Sequence, residues 1–164
     1  MQHVNNFQEY IEELCRRHVD LQHEKDGIVH FVNMNEQLLN DLESRVGFPV
    51  VMMEREYFKY DGMPGNNYKE NEYNLLILEN VSDNIDFNEI EAAFTKCEQI
   101  MDELFNQIII DKRQMDFLKG FNLAAQGERI KNAANTLYGV AVVFSLPTPY
   151  VPRNFREAFL NIKL

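Results

Sequence analysis

The sequence has no tryptophan, two cysteines and five prolines in 164 residues. Two isolated cysteines, Cys15 and Cys97, cannot build the disulfide framework of a small secreted domain. Each falls in an apolar helical pattern, where a free thiol behaves as a small hydrophobe. No apolar run approaches the roughly 20 residues of a membrane span. The segment Met1-Gln2-His3-Val4-Asn5-Asn6 has no basic stretch followed by an apolar one, so no secretion signal is expected. Basic residues are also scarce, 16 against 26 acids, for a net charge of −10. Such a chain repels phosphates, which argues against tight nucleic-acid binding. These absences predict a soluble protein of a reducing, cytoplasmic compartment with no membrane partner.

Catalytic signatures are missing as well. The sequence has no Gly-x-Ser-x-Gly elbow, no phosphate-binding loop of the Walker type and no dinucleotide-binding glycine fingerprint. Gly62 and Gly65 lie in a hairpin tip rather than between a strand and a helix. Cys15 and His18 have helical i, i+3 spacing, with His23 and His30 downstream, but a closed zinc site needs three or four convergent ligands. Asn84, Asp86 and Asn88 alternate like the start of a calcium loop. The glycine and glutamate that loop requires at its sixth and twelfth positions are here Glu89 and Thr95. The expectation is a protein that is not an enzyme, with no catalytic, cofactor-binding or metal-binding residues.

What is present is a foldable core. Hydrophobic residues make up 45% and aromatics 12% of the chain, including twelve Phe and seven Tyr. That composition excludes disorder and fits one domain over residues 1–164, with 147–164 as a C-terminal extension. Phe7, Tyr10, Ile11, Leu14, Cys15, His18 and Leu21 recur at helical spacing, with Asn6 as cap and Asp26-Gly27 as stop. Residues 28–32 read as a strand and 35–45 as a short helix. Pro49 opens a strand, and a long hairpin follows with its turn at residues 61–67 and its return over 73–81.

The strongest pattern is a helix over about 87–111. Its stripe runs Phe87, Ile90, Phe94, Cys97, Met101, Leu104, Phe105 and Ile108, with Asp86 as cap and Glu89 completing a capping box. Phe117, Leu118 and Phe121 suggest a short helical continuation, and Arg129 to Ala133 a strand. Leu137 to Leu146 reads as an inner strand, with Pro147, Pro149 and Pro152 ending regular structure. Residues 154–162 have the pattern of a terminal helix. Strands in runs with helices set apart predict an α+β fold, a mainly antiparallel sheet with its helices packed on one face.

Two features point to a partner. The hairpin tip holds Tyr57, Phe58, Tyr60, Met63 and Tyr68, and Tyr and Met near a loop tip are frequent interface anchors. Tyr57, Tyr60, Met63 and Tyr68 are therefore the candidate partner-binding residues. Charge is also uneven. Residues 79–111 carry nine acids and one base, while residues 112–164 carry three acids and eight bases. An acidic face could meet a basic face on a neighbouring copy.

The element order and several strings resemble the tail terminator and tail-completion proteins of long-tailed bacteriophages. The resemblant parts are the N-terminal helix, Phe48-Pro49-Val50-Val51 opening a strand, the polar hairpin tip and the return strand Tyr73 to Val81. The long acidic helix follows, then an Asn-rich turn leading into Tyr138-Gly139-Val140-Ala141-Val142-Val143-Phe144. The resemblance covers roughly residues 5–146. It implies a mixed sheet with helices on one side and a self-assembled ring, typically hexameric, that caps the tail tube and contacts the head connector. The charge split suits head-to-tail packing in such a ring, and an acidic lumen would suit passing DNA without gripping it. The extension past the last strand and the long tip depart from the pattern. They fit a head–tail joining protein as an alternative, beside a non-enzymatic protein–protein adaptor of a bacterial cell.

Overall fold

The computed structural model describes residues 6–33, 45–63, 66–83, 85–132 and 136–150. The expected helices at 35–45 and 154–162 lie outside these residues, apart from Arg45, which is in a turn. The described elements are α1 (Asn6–Arg17), β1 (Val29–Asn33), β2 (Val46–Met63), β3 (Asn66–Asn80), α2 (Phe87–Asp111), β4 (Gln126–Asn132) and β5 (Leu137–Pro149). Short 3-10 turns lie at Lys25–Gly27 and Asp116–Leu118. The strands form one five-stranded sheet in the order β1-β2-β3-β5-β4. Among the described strands only β1 and β2 pair in parallel, the remaining neighbours being antiparallel. The fold is α+β with both helices packed on one face, as the segregated pattern predicts.

Strand alternation decides which side chains meet the helices. Val51, Met53, Tyr73, Leu75, Ile77, Val140, Val142, Phe144 and Leu146 share one face and join the main core with α1 and α2. Phe7 of α1 reaches across this face, its ring 4.9 Å from Tyr73 and 5.7 Å from Phe144. α2, about 37 Å long at 1.5 Å per residue, buries Ala93, Phe94, Cys97, Ile100, Met101, Leu104, Phe105 and Ile108. Each large side chain removed from water in this way contributes roughly 1.5–3 kcal/mol. The opposite face of the sheet holds a second cluster of Val32, Val50 and Met52, flanked by Leu76 and Leu78.

The helix at 87–111 has the expected bounds. Its cap also follows expectation, the Asp86 carboxylate accepting from the Asn88 and Glu89 backbone N–H groups. Glu89 does not fold back onto residue 86. It accepts instead from Ser82 and the Asp83 N–H, tying the helix to the preceding loop.

Four expectations need correction besides the capping box and the hairpin. The hairpin strands run on to Met63 and resume at Asn66 through the residues 61–67 expected to turn, because the ladder pairs Asp61 with Tyr68 and Met63 with Asn66. Phe87, placed in the core stripe by its spacing, is 70% exposed at the very start of the helix, and the stripe begins to pack only with Ile90, against Val81, Phe94 and Tyr138. α1 ends at Arg17 rather than running to Asp26-Gly27. The chain then coils through Gln22, Glu24 and Asp26, all at positive φ, with His23 N–H donating back to the Cys15 carbonyl. β2 begins at Val46 rather than at Pro49, because the β1–β2 pairing carries an irregularity that takes up Gly47, Phe48 and Pro49.

The fourth correction concerns β5, which continues through Pro147 to Pro149 where the prolines were expected to end it. Tyr150 N–H donates to the Asn67 carbonyl on β3. Backbone groups alternate along a strand, so positions 147 and 149 face away from β3, where a missing N–H removes no ladder bond.

Candidate interface on a three-stranded arm

Pairing with β1 ends at Met53, and pairing with β4 ends at Val143 opposite Asn74. Beyond those points only β2, β3 and β5 pair among the described strands. Residues 54–63 of β2 make an arm about 30 Å long at roughly 3.3 Å per residue. A register shift between Arg55 and Tyr57 re-aims the strand at the root of the arm.

The register sorts the candidate residues onto two faces. Tyr57 pairs with Glu72, Asp61 with Tyr68 and Met63 with Asn66, which puts Tyr57, Met63 and Tyr68 on the face away from the helices. Tyr60 pairs with Lys69 and lies on the helix-side face. The four candidates are therefore close along the chain but do not converge. Tyr57, Tyr60 and Met63 are exposed, Met63 most at 77%, whereas Tyr68 is half-buried. The Tyr68 hydroxyl is pushed above its ordinary range, first by partial burial and then by Asp61. Tyr60, Asp61, Gly62, Asn67, Tyr68 and Tyr150 line an open depression around the tip.

The helix-side face of the arm holds a second group that the sequence did not single out as a unit. Phe58 and Tyr60 meet edge to face at 5.9 Å, and Tyr60 and Tyr150 at 5.3 Å. The Lys69 ammonium lies 4.4 Å from the Phe58 ring centre and 5.4 Å from that of Tyr60. Arg55 stands on the same face, and no acid does among the described side chains. Tyr150 and Lys69 could have been found only through the β3–β5 register, since nothing local links them to the hairpin. The outer face carries Glu54, Asp61, Glu70 and Glu72, with Lys59 held by Glu70 at 2.8 Å.

Two groups of potential metal ligands occur among the described residues, Glu12/His23/Glu24 and His18/Asp20/Glu103. In both, the histidine Nδ1 accepts a backbone N–H: from His30 and Phe31 at 3.1 Å for His23, and from Asp20 at 3.2 Å for His18. An imidazole bound in that way carries its proton on Nε2, the nitrogen that would have to face the metal. His18 Nε2 instead donates to Glu103 at 2.7 Å, and His23 Nε2 points at Glu12, which Arg16 also holds.

Cys15 and Cys97 are free and buried. Burial is the main cause pushing both thiols up, that of Cys97 to about 12.

The charge contrast is partly satisfied within one chain. Arg129 of β4 contacts Glu98 at 2.8 Å and Glu91 at 3.0 Å on α2, and lies 4.8 Å from the Phe94 ring. No helix among the described residues is long and apolar enough to cross a membrane.

No protein-family model matches this sequence, and no curated protein matches it.

Proposed function

We propose that this chain is a structural assembly protein of the tail-terminator type, which joins copies of itself into a ring that caps a tail tube and meets the head connector. Such a protein works in the host cytoplasm and ends in the virion. The observation that carries the reading is the arm. The root of this three-stranded ribbon joins the main core through Tyr73, Phe144 and Leu146, but its outer part exposes Tyr57, Phe58, Tyr60 and Met63, which add little to their own subunit's core. Aromatic and Met side chains displayed in this way are the usual anchors of protein contacts. The mixed sheet with helices on one face agrees with the fold the resemblance implies. Fold alone does not assign function, so the weight rests on the arm.

The test is light scattering coupled to size-exclusion chromatography, on the chain alone and mixed with tail-tube protein. A discrete ring, alone or on tube ends, is the expected result. A monomer at every concentration, with no assembly beside tube protein, refutes the reading.

A further inference from the structure

Two exposed apolar sites among the described residues lie toward opposite ends of β3. The arm is at one end, where Asn67, Lys69 and Asn71 of β3 lie level with Tyr150, Tyr60 and Phe58. At the other, past Asn80, the loop into α2 presents Ile85 and Phe87, 87% and 70% exposed. The nine steps of β3 from Asn71 to Asn80 alone separate them by roughly 30 Å, too far for contact within one chain.

Their surroundings carry opposite charge. The helix-side face of the arm sets Phe58, Tyr60 and Tyr150 beside Arg55 and Lys69. Ile85 and Phe87 sit among Asp83, Asp86 and Glu89. The one base of residues 79–111, Lys96, is tied to Glu79 at 2.7 Å. The acids around Ile85 are anchored to backbone N–H groups: Asp83 accepts from Ile85, Asp86 from Asn88, and Glu89 from Ser82 and Asp83. These bonds hold the carboxylates and the two apolar side chains in a fixed knob.

We infer that a second copy of this chain is the occupant of the arm, its Ile85–Phe87 knob seating on Phe58, Tyr60 and Tyr150, with Asp83 and Asp86 facing Lys69 and Arg55. The inference rests on the self-assembly reading above and gives it an interface. Because the two surfaces differ, the contact is heterologous, the kind that propagates head to tail and closes into a ring when the rotation allows. The five apolar side chains expose on the order of 600 Å² between them, taking about 200 Å² for a whole aromatic residue. Even with a charged rim this is a weak contact when it stands singly, below the size of stable interfaces. Closure of a ring raises its effective strength, since the last contact forms within one assembly.

A heterologous contact permits a specific test by analytical ultracentrifugation of the full-length chain. Tyr60→Asp disables the arm and leaves the knob intact, and Phe87→Asp does the reverse. Both residues are surface-exposed, and circular dichroism checks that the variants are folded. Each variant alone is expected to sediment as a monomer. Their equimolar mixture is expected to form a dimer and nothing larger, because one intact arm meets one intact knob. Lys69→Glu is expected to weaken self-association about tenfold, the loss of one favourable charge contact at a partly desolvated site. Variants that assemble like the wild type, or a mixture that remains monomeric, overturn the inference while a wild-type ring preserves the self-assembly reading. A wild type that stays monomeric with and without tube protein overturns both.

Discussion

Lowering the pH below about 6.5 should loosen the N-terminal helix through His23, a side chain 4% exposed between α1 and β1. Its Nδ1 accepts from the His30 and Phe31 N–H groups, both at 3.1 Å. Its Nε2 faces Glu12 at 3.5 Å and Glu24 at 4.0 Å, and Arg16 bridges those two carboxylates. Protonation of Nδ1 would break both backbone bonds and leave two donors without an acceptor. Burial, the largest effect, lowers the pKa of His23, and Glu24 and Glu12 only partly oppose it. A depressed folded-state pKa means the unfolded chain takes up the proton first. Stability is therefore complete above the unfolded value near 6.5 and falls as the pH drops toward the folded value. The slope in that window is at most about 1.4 kcal/mol per pH unit for one proton. The assay is urea denaturation from pH 7.5 to 5, run beside His23→Asn, whose carbonyl oxygen can take the place of Nδ1 without titrating. Subtracting the two curves removes every other titrating group. A difference that grows steadily as pH falls is expected. Parallel curves, or a wild type that gains on the variant in acid, would refute the argument.

Three further outcomes follow from the geometry. Asp86→Ala removes the side-chain cap of α2 and should lower stability by about 1 kcal/mol in chemical denaturation. Gly139→Ala would put a Cβ 1.8 Å from the Ile77 carbonyl oxygen, forcing β3 and β5 apart. It should cost about 3 kcal/mol or prevent folding, whereas Gly127→Ala, whose Cβ meets the Val142 side chain at 3.2 Å and the Ala141 carbonyl oxygen at an ordinary 3.6 Å, should cost less than about 1 kcal/mol; thermal melts of the two variants decide this. Cys15 and Cys97 are buried with raised thiol pKa values, so thiol reagents should label them only as fast as the chain opens. Rapid labelling in native buffer would contradict their burial.

The sequence speaks most clearly where one periodic signal and one local rule agree. α2 is legible to the residue because an apolar stripe and an Asp cap coincide, and β5 because its apolar run is long enough to mark an inner strand. Pattern reading fails where tertiary context decides. Phe87 fits the helical stripe but stays exposed, while Ile90 packs against Val81, Phe94 and Tyr138. Pro147 and Pro149 resemble a stop signal, yet the edge they face needs no donor from them. The hairpin tip was legible as a cluster of Tyr and Met. Its division into two chemically distinct faces was not, because that depends on the register shift at Arg55/Tyr57 and on Tyr150 arriving from β5. The charge split between the long helix and the C-terminal third was also visible, but Arg129 spends part of it inside one subunit.

The two prolines near the end of β5 also bear on how the protein behaves in a crowded solution. A long ribbon with open edges is a template on which other strands stack into fibres. On the β5 side, positions 147 and 149 offer no amide hydrogen to an incoming strand. The Pro147 carbonyl is shielded by Gly120, where even a methyl group would come within 2.0 Å of it. On the β2 side, the shift at Arg55/Tyr57 bends the exposed edge out of line with any flat partner. The arm can therefore project far from its core and still resist runaway strand addition.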